Sequence, residues 1–189
     1  MLLAIVQYAD GKLTTGFLAY KQDYISNAFW LGGFYVHVGT SIFCLIAGFT
    51  QFSGFIRREF PKIHRGVGKV YIFSILFINF PAGLILAVHA NGGLSNRIAF
   101  TILALLWFTF TLKAWISIRN KNITEHYRFM VRSYALTFSA ITLRLWKLVF
   151  IELTDWDEMF IYQVDAWLGF GLNILIAELY LLSKKSLSD

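Results

Sequence analysis

The sequence predicts an all-α integral membrane protein, a bundle of about five transmembrane helices. Of its 189 residues, 57% are hydrophobic and 18% aromatic, and the mean hydropathy is +0.59. Soluble domains are only about 45–50% apolar, so this composition indicates a protein of the bilayer. Five apolar segments reach the roughly 20 residues that a helix needs to cross about 30 Å of hydrocarbon. They cover residues 29–52, 66–88, 98–118, 129–151 and 160–182.

The domain organisation follows from these segments. Residues 29–182 form one predicted transmembrane domain, followed by a short cytoplasmic tail over residues 183–189. Residues 1–28 contain the apolar stretch MLLAIVQYA, which is too short to cross a bilayer, and they lack the positively charged start of a signal peptide. We therefore interpret residues 1–28 as an interfacial segment.

The distribution of positive charge predicts the orientation. Of the 17 lysines and arginines, eleven lie in the first and third loops between segments, in the residues bordering those loops and in the C-terminal tail. Four lie on the opposite side and two within segments. The positive-inside rule then places the N-terminus outside and the C-terminus in the cytoplasm. Topology and lipid headgroups account for the net charge of +6, and no nucleic acid partner is expected.

Polar residues within the apolar segments fall on three helix faces. Such groups are costly in hydrocarbon unless they face protein or water, so these faces predict a shared interior. Pro81 is expected to kink the second segment. The face of the fourth segment comprises His126, Ser133, Thr137 and Arg144, which lie within about 20° of one line at 100° per residue. The first segment presents His37, Ser41, Cys44, Gly48 and Gln51, and the second His64, Gly68, Tyr71, Ala82 and His89.

Charged residues inside the segments predict two ion pairs. Arg132 and Glu178 lie at similar depths near the cytoplasmic ends of the fourth and fifth segments. Arg144 and Asp165 match in the same way near the outer ends. Two roles remain open for each pair: neutralising buried charge between helices, or forming part of a proton or anion pathway.

Two histidines suggest a haem site. His64 and His126 both lie at the cytoplasmic edge, on different helices, as bis-histidine ligation of a haem iron requires. They are the predicted metal ligands, and Arg65 and Arg128 are candidate partners for the haem propionates. His37 is a third cofactor-binding candidate because it lies about 12 Å deep. His89 is discounted, since about 37 Å of helix rise separates it from His64.

Several stretches of the sequence resemble a known family. They include FYVHVGTSIFCLIAGFTQF, PKIHRGVGKVYI and HYRFMVRSYALTFSAITLR, and together they span residues 34–178. This pattern is similar to an uncharacterised family of predicted bacterial multi-pass membrane proteins, one of the domain-of-unknown-function families. The resemblance implies a location in the bacterial cytoplasmic membrane and brings no established activity.

A second, local similarity concerns chemistry. The stretch FYVHVG followed by HRGVG is similar to the way ascorbate-reducible transmembrane b-type cytochromes present histidines at successive helix ends. Only His37 and His64 match that pattern residue by residue, and the third segment contains no histidine. This departure argues against the two haems of that family and leaves two alternatives, a single haem b near the cytoplasmic side or no haem.

Three functional hypotheses remain open at this point. The first is a b-type haem protein, of oxidoreductase type, that moves electrons between a quinone or redox partner protein and an acceptor. The second is a carrier or channel for a proton or small solute, which uses the polar face of the fourth segment with His37 and Glu178. The third is an accessory subunit of a homo- or hetero-oligomeric membrane complex, in which polar residues only hold helices together.

Overall fold

The regular structure of the chain is helical throughout the part that is described. The computed structural model describes residues 6–186, in which helices of the α, 3-10 and π types occur and strands do not. A 3-10 helix at Gly16–Lys21 precedes the first α-helix, and a π-helix at Ser74–Asn79 connects the third to the fourth. The α-helices are α1 (Ala28–Gln51), α2 (Gly54–Glu59), α3 (Pro61–Phe73), α4 (Phe80–Val88), α5 (Gly93–Arg119), α6 (Ile123–Leu153) and α7 (Glu158–Ser186).

Five helical spans are long and apolar enough to cross a membrane, which confirms the predicted fold class and number of spans. They are Ala28–Gln51, Pro61–Val88, Gly93–Arg119, Ile123–Leu153 and Glu158–Lys184. The second span combines α3, the π-helix and α4. The side on which each end lies is not determined by these helices, so the orientation remains a prediction.

The observed helix α6 begins six residues before the apolar segment predicted from the sequence. Its start is capped by Asn122, whose side chain accepts a hydrogen bond from the backbone N–H of Glu125 at 3.1 Å. Helical structure therefore continues beyond the apolar region into polar sequence. As a result, His126 and Arg128 belong to the helix itself, where their directions are set by helical geometry.

The chain forms two compact units, Met1–Leu86 and Ala87–Asp189. In the first unit, α1 packs against α3 and the π-helix. The stretch before α1 also packs onto that helix, through a buried cluster of Tyr8, Leu18, Trp30 and Phe34. The Tyr8 ring meets Phe34 edge-on at 5.0 Å, and its hydroxyl accepts a hydrogen bond from the N–H of Phe17 at 2.9 Å. An aromatic core thus attaches this stretch to α1.

The π-helix lies just before Pro81. Proline has no backbone N–H and sterically conflicts with a regular α-helical turn before it, so local widening of the helix is a common response. The carbonyl of Ser74, at the start of the π-helix, accepts a hydrogen bond from the side chain of Asn79 at 3.2 Å. The helix therefore has a π-helical turn just before Pro81, in which a side chain satisfies a backbone group, and the kink expected there remains a prediction.

The second unit consists of three long helices, and α6 packs extensively against both α5 and α7. Close approach of α6 and α7 depends on Gly169, because a Cβ atom at that position would lie 2.5 Å from Leu143 Cγ. Next to this contact, the hydroxyl of Thr142 donates to the carbonyl of Gly169 at 2.7 Å. Small residues that bring helix backbones together are typical of membrane bundles.

Candidate functional site

Asn79 is the polar centre of the first unit. It is fully buried, at the C-terminal end of the π-helix. Its Oδ1 atom accepts hydrogen bonds from Thr40 at 3.1 Å and from Ser41 at 3.2 Å. Its Nδ2 atom donates to Cys44 Sγ at 3.5 Å, besides the carbonyl of Ser74. Asn79 therefore joins α1 to the second span through both ends of its amide group.

Asn79 was not among the candidate residues predicted from the sequence. The signal was present, since an asparagine two residues before Pro81 interrupts the apolar stretch ILFINFPAG. A helical face calculated with 3.6 residues per turn does not predict the direction of the Asn79 side chain. The reason is that a π-helix has a wider turn, which rotates the residues before it relative to those after it.

We expect Asn79→Ala to destabilise the protein by about 2 kcal/mol, because it removes several buried hydrogen bonds and leaves the Ser74 carbonyl without its side-chain donor. The measurement is thermal unfolding of the purified protein in detergent. Asn120→Ala is the matched control, since Asn120 is exposed at the end of α5. Equal melting temperatures of the two variants would show that the Asn79 side chain contributes nothing to stability.

The polar face of α1 meets small residues of the second span. The imidazole of His37 lies against Gly83, where a Cβ atom would come within 3.2 Å of the ring. About four turns further along α1, at its last residue, the side chain of Gln51 lies against Gly68, where a Cβ atom would come within 2.8 Å of Oε1. Glycine at both positions thus leaves room for a polar side chain from the neighbouring helix.

His64 is half-buried in the first turns of α3, and the neighbouring Arg65 is exposed. Arg65 Nε donates to the carbonyl of Pro61 at 3.2 Å, one turn earlier on the same helix. The fourth histidine, His89, which was discounted as a ligand from its position in the sequence, follows the last residue of α4. His37 and His64 belong to the first unit, and His126 belongs to the second.

The polar face of α6 contacts α5. Ser133 and Thr111 share a hydrogen bond of 2.8 Å between their hydroxyls, and Trp107 Nε1 donates to the hydroxyl of Thr137 at 2.9 Å. Ser133 and Thr111 are both fully buried. These side chains therefore serve as successive hydrogen-bonded contacts between two spans, in agreement with the cost of leaving polar groups unpaired in hydrocarbon.

His126 forms the contact at the end of this face. Its Nδ1 atom lies 2.9 Å from the carbonyl oxygen of Ala114 on α5. A carbonyl can only accept, so the proton of this hydrogen bond must be on Nδ1. In the neutral imidazole the lone pair is then on Nε2. His126 is half-buried. The Ala114 carbonyl therefore orients the ring through Nδ1, and Nε2 is the potential ligand atom.

Arg132 and Glu178 form an ion pair between α6 and α7. Arg132 Nε donates to Glu178 Oε1 at 2.5 Å and Nη2 donates to Oε2 at 2.8 Å. The guanidinium also lies over the rings of Phe129 and Phe110, at 5.5 and 6.0 Å. The structure thus brings together two residues that the sequence placed at one depth, in the bidentate geometry that arginine favours with carboxylates.

The same ion pair borders a cavity of about 540 Å³. Charged and apolar side chains both line it. Arg128 in the wall pairs with Glu125 at 2.8 Å, and both side chains are 36% exposed. The lining residues are Phe110, Glu125, Arg128, Phe129, Arg132, Glu178, Leu181 and Leu182.

Arg144 and Asp165 have different environments. Arg144 is exposed and donates to the carbonyl of Ala140 on its own helix. Asp165 is only 3% exposed, and its Oδ1 atom has no hydrogen-bond partner among residues 6–186. The pairing of these two residues remains a prediction.

Within the described range, no three histidine, cysteine, aspartate or glutamate side chains are grouped so as to hold a metal ion. Bis-histidine ligation of a haem needs only two protein ligands, so the haem hypothesis does not depend on such a group.

Comparison with known proteins identifies a family. A family model described as predicted membrane protein (DUF2306) matches residues 34–181. The chain belongs to this family. Membership of DUF2306 agrees with the five apolar helices, and both indicate that the chain is a multi-pass integral membrane protein in contact with the lipid bilayer. No curated protein and no solved structure matches the chain, so the local similarity to b-type cytochromes gains no support from these comparisons.

Proposed function

We propose that this DUF2306 protein binds haem b and transfers electrons in the membrane. His64 and His126 are the proposed axial ligands, and Arg65 and Arg128 the proposed partners of the propionates. Bound haem would supply a one-electron carrier, with a quinone or a redox partner protein of the bacterial cytoplasmic membrane as electron donor. His37 remains an additional candidate cofactor contact.

The observation that carries the proposal is the hydrogen bond between His126 Nδ1 and the Ala114 carbonyl. Histidines that bind metals commonly donate their second ring N–H to a carbonyl or carboxylate, which sets the tautomer and the ring orientation. His126 has this arrangement, with the lone pair on Nε2. Arg128 lies two residues further along and forms a partly exposed ion pair with Glu125. Ion pairs of this kind are weak, so a haem propionate can take the place of the Glu125 carboxylate.

The carrier hypothesis receives less support from the same helix. A conduit needs polar side chains that are available to a solute, whereas Ser133 and Thr137 make hydrogen bonds to α5. Their contacts instead fit the holding of helices together, a role that is compatible with haem binding at the end of the same face.

The direct test is the absorption spectrum of the protein purified in detergent from cells supplied with a haem precursor. We expect a reducible Soret band, an α band typical of haem b and about one haem per chain by the pyridine haemochrome assay. Reduction by a quinol in proteoliposomes would extend this result to electron transfer. A colourless preparation that is helical and monodisperse would overturn the proposal.

A further inference from the structure

The cavity beside the Arg132–Glu178 ion pair has a charge distribution suited to an anion. Its walls contain two arginines and two glutamates, which balance. A further cation is nearby, because Lys113 Nζ lies 5.4 Å from the centre of the Phe129 ring that lines the cavity. The lining residues together with Lys113 therefore carry one excess positive charge, which favours a ligand with a single negative charge.

Arg128 is the cation in this cavity that is best placed to bind a ligand. Arg132 is occupied by a bidentate contact to Glu178 and is only 19% exposed. The pair of Arg128 with Glu125 instead joins residues three positions apart on one helix, with both side chains 36% exposed. Such pairs contribute little free energy, so an incoming phosphate can take over the guanidinium at small cost.

The remaining walls are apolar. Phe110 and Phe129 stack with their ring centroids 6.3 Å apart. On α7, Leu181 is buried and Leu182 is 62% exposed, near the end of the span. An amphiphile fits these walls better than a free inorganic anion does, because the apolar surface would be covered by hydrocarbon. The positive-inside rule assigns this end of α6 to the cytoplasmic leaflet, which is the leaflet that attracts basic side chains through anionic lipids.

We propose that in the haem-free protein, where no propionate occupies Arg128, this cavity binds the headgroup of an anionic phospholipid. Its phosphodiester is held by Arg128, and its acyl chains lie over Leu181 and Leu182. The ion pair of Arg132 and Glu178 forms the inner wall and keeps the two helices at the spacing that the headgroup needs.

Native mass spectrometry of the detergent-purified protein tests this site. Dioleoyl phosphatidylglycerol, dioleoyl phosphatidylcholine and inorganic phosphate are titrated separately. We expect phosphatidylglycerol to bind at least about tenfold more tightly than phosphatidylcholine, and Arg128→Gln to weaken its binding about tenfold through loss of a charge-assisted hydrogen bond. Lys113→Gln, a substitution at an exposed position, is expected to weaken it severalfold.

Arg119→Gln is the matched control, since it removes the same charge from an arginine of α5 that lies over Trp115 instead of lining the cavity. It is expected to leave phosphatidylglycerol binding unchanged. Equal binding of the two lipids, equal effects of Arg119→Gln and Arg128→Gln, or saturation by inorganic phosphate alone would each overturn the proposal. The titration uses protein from cells grown without added haem precursor, whose intact mass shows that no haem is bound, so no propionate competes for Arg128. Failure of lipid binding and failure of the haem proposal are therefore distinguishable.

Discussion

Replacement of His126 by glycine is expected to abolish the haem absorbance of the purified protein almost completely. A b-type haem has no covalent link to the protein, so its retention depends on the axial ligands and the surrounding contacts. The substitution removes the Nε2 lone pair and also the Nδ1 hydrogen bond to Ala114 that orients the ring. We expect His64→Gly to decrease the haem absorbance equally, because it removes the second proposed axial ligand.

A ligand role and a purely structural role of His126 can be separated by chemical rescue. Free imidazole added to the His126→Gly variant is expected to restore a bis-nitrogen haem spectrum, because a small molecule can replace the missing side chain. His89→Gly is the matched control and should retain full absorbance, since His89 follows the end of α4. Retention of the spectrum by His126→Gly would exclude His126 as a ligand.

Removal of one member of the Arg132–Glu178 ion pair is expected to be the most destabilising single change to a charged residue in the second unit. Loss of one partner from a buried pair typically costs about 3–5 kcal/mol, because the other charge remains without compensation. Glu178 is 39% exposed, so we expect about 2–3 kcal/mol for Arg132→Gln, including the lost cation–π contacts. This corresponds to a decrease in melting temperature of roughly 5–10 °C for a protein of this size.

The double variant Arg132→Gln with Glu178→Gln tests the origin of that cost. Two neutral amides can form a hydrogen bond with each other, so the double variant should melt at a higher temperature than either single variant. Arg128→Gln is the control, and without added lipid we expect it to cost less than about 1 kcal/mol because its pair is exposed. Equal melting temperatures of the Arg132→Gln and Arg128→Gln variants would show that the interhelical pair does not stabilise the bundle.

Individual residues show which parts of the site could be predicted from the sequence. Arg132 and Glu178 were paired correctly because depth along a helix follows directly from the rise per residue, and few charges occur at that depth. Ser133 and Thr137 were placed on one face by the same periodicity. Their partners, Thr111 and Trp107, were not predicted, because neither stands out in an α5 sequence that is apolar on most sides.

Asn79 shows a second limit of the sequence. Its environment depends on a π-helix, whose wider turn moves the asparagine relative to the regular helical positions before and after it. Pro81 indicates that the helix is perturbed nearby, but the perturbation can take several forms. The hydrogen bonds of Asn79 with Thr40, Ser41 and Cys44 therefore became evident only from the packed helices.

The sequence by itself determined the membrane class, the number of spans and the residues that are costly in hydrocarbon, because these depend on composition, length and position along each helix. The tertiary structure alone decided how those residues are satisfied, because helix rotation and axial offset are set by packing. His126 illustrates the difference. Its position at the end of a span is evident from the sequence, whereas the Ala114 carbonyl that orients its ring is a backbone group, which no side-chain pattern reveals.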